Sequence, residues 1–302
     1  MKDNLIMTTN PLQRSKGDST DQEILATDAR LATRRPNIVL WVVSGIFFAL
    51  FAAVLIGLAS NEVFEWDSVL RYLAFPTVVS GLLMTLQLTV IAMALGIVGG
   101  VALAVMRMSP SVLLRIPADA FVWFFRGTPV LVQLIFWFNL AIFLPEIRID
   151  LPFSSSPLFV LDTNEAITPF VASLLGLALN EAAYMCEIVR GGLLSVPHGQ
   201  SEAAQSLGVG RFKTFTRIVL PQAMRAIVPP TGNQVISMLK GTSLVSVIAM
   251  SDLLYSVQSI YNQNFKVIPL LVVACIWYLA ITTVLDYFQK RIERFYGRGT
   301  RR

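Results

Sequence analysis

Histidine occurs once in this chain of 302 residues and cysteine twice, and only 14% of the residues are charged. Each scarcity excludes something. His198 stands between Pro197 and Gly199 with no second histidine or neighbouring carboxylate, so it offers no metal ligand set and little acid–base chemistry near neutral pH. It reads as a solvated loop residue. Cys186 and Cys275 both lie in apolar segments without metal-ligand spacing, which argues against a disulfide framework and for small packing residues. A phosphate-cradling loop is missing as well. The nearest imitation, GVGRFKT from Gly208 to Thr214, has Phe212 where the last glycine of G-x-x-x-x-G-K-[ST] must stand, and Lys240-Gly241-Thr242 lacks the upstream glycines. With no catalytic triad, paired carboxylates or zinc pattern in the sequence, the chain is not expected to be an enzyme on its own.

What abounds is apolar surface: 55% of the residues are hydrophobic and mean hydropathy is +0.64, the composition of an integral membrane protein. A spanning helix needs about 20 mostly apolar residues. Uncharged stretches near that length run from Ile38 to Ala59, Tyr72 to Met106, Gly127 to Pro145, Ala166 to Asn180 with a polar extension to Val189, Ala226 to Ser251 interrupted by Lys240, and Val267 to Leu285. These predict about six helical spans, since a membrane β-barrel would alternate apolar and polar residues in short strands. Lys and Arg gather in residues 1–37, at Arg107 and Arg115, between Arg190 and Arg225, and in the tail 290–302, whereas acidic residues mark the alternate loops, at Glu62, Glu65 and Asp67 and again at Glu146, Asp150, Asp162 and Glu165. Cytoplasmic loops are the basic ones, so both termini are expected in the cytoplasm. The net charge of +5 then needs no nucleic-acid partner. A polar leader of 37 residues is long for a signal peptide, which makes Ile38 to Ala59 a retained anchor.

The connection from Arg190 to Arg225 is long for a loop between consecutive spans. Within it, Glu202 to Leu207 are good helix formers, Gly208 and Gly210 can end a helix, and Arg211 to Leu220 predict a second helix stopped by Pro221. One reading lays this segment on the bilayer, with Phe212, Phe215 and Ile218 among headgroups and Arg211, Lys213 and Arg217 toward phosphates. The other makes it a docking element, because Ala203, Ala204 and Leu207 present a small apolar face to a close-fitting protein.

The spacing favours docking: Glu202-Ala203-Ala204, then Gly208 six residues after the glutamate, Ile218 at sixteen, and Leu220-Pro221 at eighteen and nineteen. This resembles the EAA loop of bacterial ABC-importer permeases. The segments RGTPVLVQL (Arg126 to Leu134), AYMCEIVRGGLLSVPHGQSEAAQSLG (Ala183 to Gly208) and LKGTSLVSVI (Leu239 to Ile248) are similar to those of the polar amino acid branch, which carries histidine, glutamine and arginine. The resemblance implies an all-α, type I importer permease fold over about residues 70–290. In it the loop at about 191–225 couples to a separate ATPase subunit through Glu202, Ala203, Ala204, Leu207, Gly208, Ile218, Leu220 and Pro221. Small alanines permit close approach, Gly208 a sharp turn, Glu202 a favourable place near a helix N-terminus, and Pro221 a fixed start for the next helix. The implied partners are ABC ATPase subunits, a second permease copy or paralogue, an extracytoplasmic amino-acid-binding protein and the bilayer of a bacterial inner membrane. No cofactor is expected in this chain, ATP and Mg belonging to the ATPase. The family core has five spans and an outside N-terminus, so 38–59 is an additional span.

Polar residues within the spans suggest a substrate path, because a mid-bilayer charge normally faces a cavity or a partner. Lys240 falls near the centre of its span, and Gly241, Thr242 and Ser243 after it can open the helix. Asn180, Tyr184 and Glu187 share one helical face, with Glu181 beside them. An amino-acid carboxylate suits Lys240 or Arg126 and its ammonium suits Glu181 or Glu187, with Thr128, Gln133 and Tyr184 for hydrogen bonds. Blander readings stand beside this: an i, i+3 ion pair of Glu187 with Arg190, snorkelling by Arg126, and Lys240 holding helices or subunits together. Phe124, Phe125, Phe136, Trp137 and Phe138 read as bundle and lipid contacts. The rival class is an ion-coupled secondary transporter, in which Lys240 and the glutamates bind coupling ions; a weaker one is a membrane scaffold. No internal repeat supports the rival.

Overall fold

The computed structural model describes residues 38–150 and 157–297; the basic leader 1–37, the loop around Ser155 and the last residues of the basic tail lie outside the described residues. Two compact units divide after Asn61. The first contributes helix α1 (Ile38–Ala59), 22 residues without a charge, whose described side chains are exposed on every side.

The second unit is a helical bundle. After a 3₁₀ turn (Glu62–Phe64) the short amphipathic α2 (Trp66–Leu73) buries Val69, and Trp277 Nε1 donates to the Leu73 carbonyl at 2.9 Å. Helix α3 (Pro76–Met108) opens with proline at its first position, where a missing N–H costs nothing, and runs 33 residues, about 50 Å. It lies against α8 (Pro169–Leu194), capped by Thr168. The two approach closely because Gly100 has no side chain: a Cβ there would stand 2.9 Å from the Cys186 amide nitrogen and 3.0 Å from the Ala182 carbonyl oxygen.

Between them, α4 (Val112–Gly127) and α5 (Val130–Phe138) meet at a 103° bend. Pro129 accounts for the break, since the residue before a proline is pushed out of the helical region, and Thr128 is extended at φ −111°, ψ 143°. A single turn, α6 (Leu140–Phe143), leads into an antiparallel hairpin, β1 (Glu146–Asp150) with β2 (Pro157–Asp162), Glu146 opposite Asp162. Asp162 then caps α7 (Thr163–Ala166), accepting from the Asn164 amide at 2.7 Å. Beyond α8 come α9 (His198–Ser206), α10 (Arg211–Thr214), a π turn (Phe215–Val219) and α11 (Leu220–Gly241). A 3₁₀ segment (Thr242–Ile248) turns through Ala249, at φ 56°, toward α12 (Leu253–Asn264) and the last helix α13 (Val267–Tyr296).

Three apolar clusters hold the bundle. Leu88, Leu134, Leu177, Met238 and Val245 join α3, α5, α8 and α11 with the 3₁₀ segment. Ala104, Val122, Met185, Val189, Ala223 and Ile227 join α3, α4, α8 and α11 nearer the α9 loop. Val69, Val78, Leu253, Leu270 and Val273 join α2, the start of α3, α12 and α13 at the other end.

Among the described residues, three helices are by themselves long and apolar enough to cross a membrane, and two bent pairs raise the number to five, with α1 as a further, shorter apolar stretch over Ile38–Val54. The spans lie elsewhere than hydropathy drew them. Gly127 to Pro145 is not one helix; its place is taken by the bent α4–α5 pair, so Val112–Gly127, read as part of a loop with Arg115, is helical. The polar extension of Ala166 to Asn180 is fully helical to Leu194. Pro221 does not stop the helix from Arg211. Without an N–H it cannot bond back to the Arg217 carbonyl, and the preceding turn widens into the π turn while the chain continues into α11. The hairpin at 146–162 was read only as an acidic loop, although Ile147 and Ile149 alternate with charged residues there.

Candidate functional site

The α9 loop is built around one turn. Gly208 takes φ +75°, a conformation a β-carbon disfavours, and its amide donates to Gln205 O at 2.9 Å while the Val209 amide donates to Ala204 O at 3.0 Å. This pair of hydrogen bonds is a Schellman ending, and it satisfies two carbonyls at the helix C-terminus. Ala204, only 3% exposed, and Thr214 face inward, so the loop folds on itself. Its outer face carries Glu202, Ala203, Leu207 and Phe212, the last two 83% and 80% exposed. Two expectations change here. Ala204 is a packing residue rather than part of the displayed face, being buried on the side of α9 turned into the loop. Because α9 begins at His198, four residues earlier than expected, Glu202 is the fifth helical residue, beyond the first turn where the dipole acts. Ile218 and Leu220 are half-buried around the π turn, and Pro221 is exposed in the first turn of α11.

The polar residues of α8 converge on the end of α4. Asn180 Nδ2 donates to Phe125 O at 2.7 Å; Gln133 Nε2 donates to the same carbonyl at 3.1 Å and to Thr128 Oγ1 at 2.8 Å; Thr128 Oγ1 donates to Phe124 O at 2.8 Å. A helix that ends inside a bundle leaves carbonyls without intrahelical partners, and these side chains supply them at the 103° bend. Arg126 lies over the Tyr184 ring, 5.3 Å from its centroid.

Glu187 is the centre of an ion-pair network. Arg107 Nη1 lies 2.7 Å and Arg126 Nη1 3.2 Å from its Oε1, Arg190 Nη2 lies 2.8 Å from its Oε2, and Arg107 Nε also meets Asp119 Oδ1 at 2.6 Å. The foreseen Glu187–Arg190 pair is thus one edge of a larger structure, and Arg126 is paired rather than only snorkelling. Arg107 and Asp119 were not singled out from sequence. The pairing spans 80 residues between Arg107 and Glu187, and no local spacing encodes it. Glu181 stands apart: 5% exposed, its Oε1 has no hydrogen-bond partner among the described residues.

Lys240 is not at the middle of a helix. It sits exposed in the last turn of α11, and no ion pair involves it among the described residues. The helix does open after it: Thr242, fully buried, donates to Leu239 O at 2.7 Å, and Ser243 donates to Lys240 O at 2.7 Å, in the 3₁₀ segment. No group of three potential metal ligands occurs among the described residues.

A bundle of membrane-length helices, one pair sharply bent, with a helical loop projecting between two of them, is the architecture of a membrane permease. Comparison with known proteins narrows the class. Residues 96–298 match the family described as binding-protein-dependent transport system inner membrane component, and the chain belongs to it. It is 44% identical over 263 residues to the arginine transport system permease protein ArgU of Corynebacterium glutamicum, covering 87% of this chain and 81% of that one. To the glutamine transport system permease protein GlnP of Escherichia coli it is 33% identical, over 76% of this chain and 97% of the relative. A crystal structure of an amino acid ABC transporter with histidines superposes at a TM-score of 0.62 with 32% identity, covering 72% of this chain and 94% of that one. The MetNI methionine transporter, at 16% identity and a TM-score of 0.57, shares the fold. The chain is therefore a permease subunit of an ABC importer and an integral membrane protein.

Proposed function

We propose that this permease carries polar amino acids, with arginine-like cations the first substrates to test, and that it works with two ATPase subunits, a second permease copy or paralogue and an extracytoplasmic binding protein. ATP and Mg are bound by the ATPase. Residues 70–290 form the permease domain, 38–59 an additional anchor, and both termini face the cytoplasm of a bacterial inner membrane. The names of the relatives support the substrate class. One observation carries the coupling role: the Schellman turn at Gly208 fixes a compact loop whose outer face shows Ala203, Leu207 and Phe212 to solvent, apolar surface that only a protein partner or a membrane would cover.

The substrate path is proposed along the face of α8 that bears Asn180, Glu181, Tyr184 and Glu187 and the α4–α5 bend with Arg126, Thr128 and Gln133, reaching Lys240, Thr242 and Ser243 at the end of α11. Proteoliposomes holding the full complex test the reading. Uptake driven by enclosed ATP and indifferent to an ion gradient is the expected result; uptake driven by the gradient alone supports the secondary transporter. Gly208→Val should lower both ATPase attachment and uptake at least tenfold while the purified subunit stays folded. Reporters fused after Arg302 and near Ser155 should report inside and outside.

A further inference from the structure

The last turns of α13 carry a stripe of cations and aromatics that neither the ion-pair network nor the α9 loop uses. Tyr287, the pair Lys290 and Arg291, and the pair Arg294 and Phe295 recur about one helical turn apart and line one hollow on the surface of the helix. All are exposed, and Arg291 Nη1 reaches the Tyr287 hydroxyl at 3.4 Å. The opposite side of the helix is sealed. There Gln289, 5% exposed, donates to the Pro229 carbonyl of α11 and to Glu293 Oε1, each at 2.8 Å. Glu293 is thereby committed away from the stripe. Asp286 lies one turn before Lys290 and Glu293 beside Arg294, and none of Lys290, Arg291 and Arg294 is in an ion pair among the described residues.

Depth identifies the occupant. Tyr287 lies twenty residues beyond Val267, the first residue of α13, a rise of about 30 Å, which is the thickness of a hydrocarbon core. The cations therefore emerge where headgroup phosphates lie, with Tyr287 and Phe295 as the amphipathic and apolar anchors of that layer. We propose that this stripe binds the headgroups of anionic phospholipids, fixing the end of α13 and, through Gln289 and Pro229, the helix that leads out of the α9 loop. The inner leaflet is assigned from the orientation under the proposed function; binding itself is not, so vesicles with the same lipids in both leaflets separate the two.

The purified chain is placed in phosphatidylcholine bilayers with a minor fraction of phosphatidylglycerol, and retained lipid is measured by native mass spectrometry and by competition with a labelled phosphatidylglycerol. Wild type should enrich the anionic lipid, with selectivity that weakens as salt is raised. Each cation removed should cost roughly fivefold, so Lys290→Gln/Arg291→Gln/Arg294→Gln should lose selectivity almost completely. The charge-conserving Arg291→Lys/Arg294→Lys should keep it. Equal enrichment by wild type and the triple variant overturns the proposal, as does a wild-type selectivity indifferent to salt. Displacement of the lipid by inorganic phosphate would assign the stripe to a free anion instead. Loss of ATPase attachment in the triple variant with lipid selectivity intact would make it a protein contact. Failure of ATP-driven uptake in wild type bears on the importer reading alone.

Discussion

Two glutamates on α8, six residues or about 9 Å of helix apart, live in opposite worlds. Glu187 has three guanidiniums within 3.2 Å of its carboxylate. Glu181 has an oxygen with no protein partner among the described residues, and its Cγ lies 2.6 Å from where a β-carbon on Gly96 would be. A carboxylate so surrounded holds together the ends of three helices, α3, α4 and α8, and its bonds are already made. A carboxylate enclosed with one oxygen unpartnered gains little stability from its burial. The lesson is that the candidate list divides by satisfaction rather than by depth. Asn180 and Thr128 have hydrogen bonds at the bend of α4, and Gln133 donates there while its Oε1, like that of Glu181, has no partner among the described residues. Lys240, exposed at the end of α11, falls with Glu181.

The largest effect should come from breaking the network. Glu187→Gln leaves three arginines facing one another, and for a site whose members are 18% to 42% exposed the loss should be about 2 kcal/mol, below the ~3–5 kcal/mol of a fully buried pair. Thermal unfolding in detergent checks it, and an unchanged midpoint would show that the arginines are solvated independently. Next, Glu181→Gln should leave stability within about 1 kcal/mol of wild type, since no ion pair is lost, while uptake falls at least tenfold if the carboxylate meets a substrate cation. Normal uptake removes Glu181 from the path. Gly96→Ala sharpens the same point: its β-carbon must displace Glu181, so uptake should drop with the chemistry of the glutamate untouched.

Smaller effects are expected at the surface. Lys240→Met should leave unfolding within about 0.5 kcal/mol and ATPase attachment unchanged while lowering uptake, and parallel loss of attachment would make the lysine structural. At the opposite end of the bundle, Lys266 and the Ser68 hydroxyl hold the Glu65 carboxyl below the usual carboxylate range. A lowered folded value means stability that is present above the unfolded value and is lost as pH falls through the folded one. Glu65→Gln should therefore lower stability slightly at neutral pH and change nothing below the folded value, so that the difference in unfolding midpoint between the two proteins closes as pH falls from about 7 to about 3.

Much of this molecule could be read along the chain. Apolar blocks of spanning length depend on composition within twenty residues, and so does the end of α9, where only Gly208 fits a positive φ. Both were legible. The bend at Pro129 was locally encoded yet masked, because a hydropathy run does not register whether a helix turns within it. The Glu187 network, the exposure of Lys240 and the isolation of Glu181 were of another kind. A sequence lists charges, but whether each is paired depends on which helix ends meet. That is decided by packing over separations such as the 80 residues between Arg107 and Glu187, where close approach at Gly100 brings α3 and α8 together. Local composition was enough for the apolar blocks, the loop and its turn, whereas the bounds of the spans and the pairing of the polar groups depend on contacts between helices far apart in the chain.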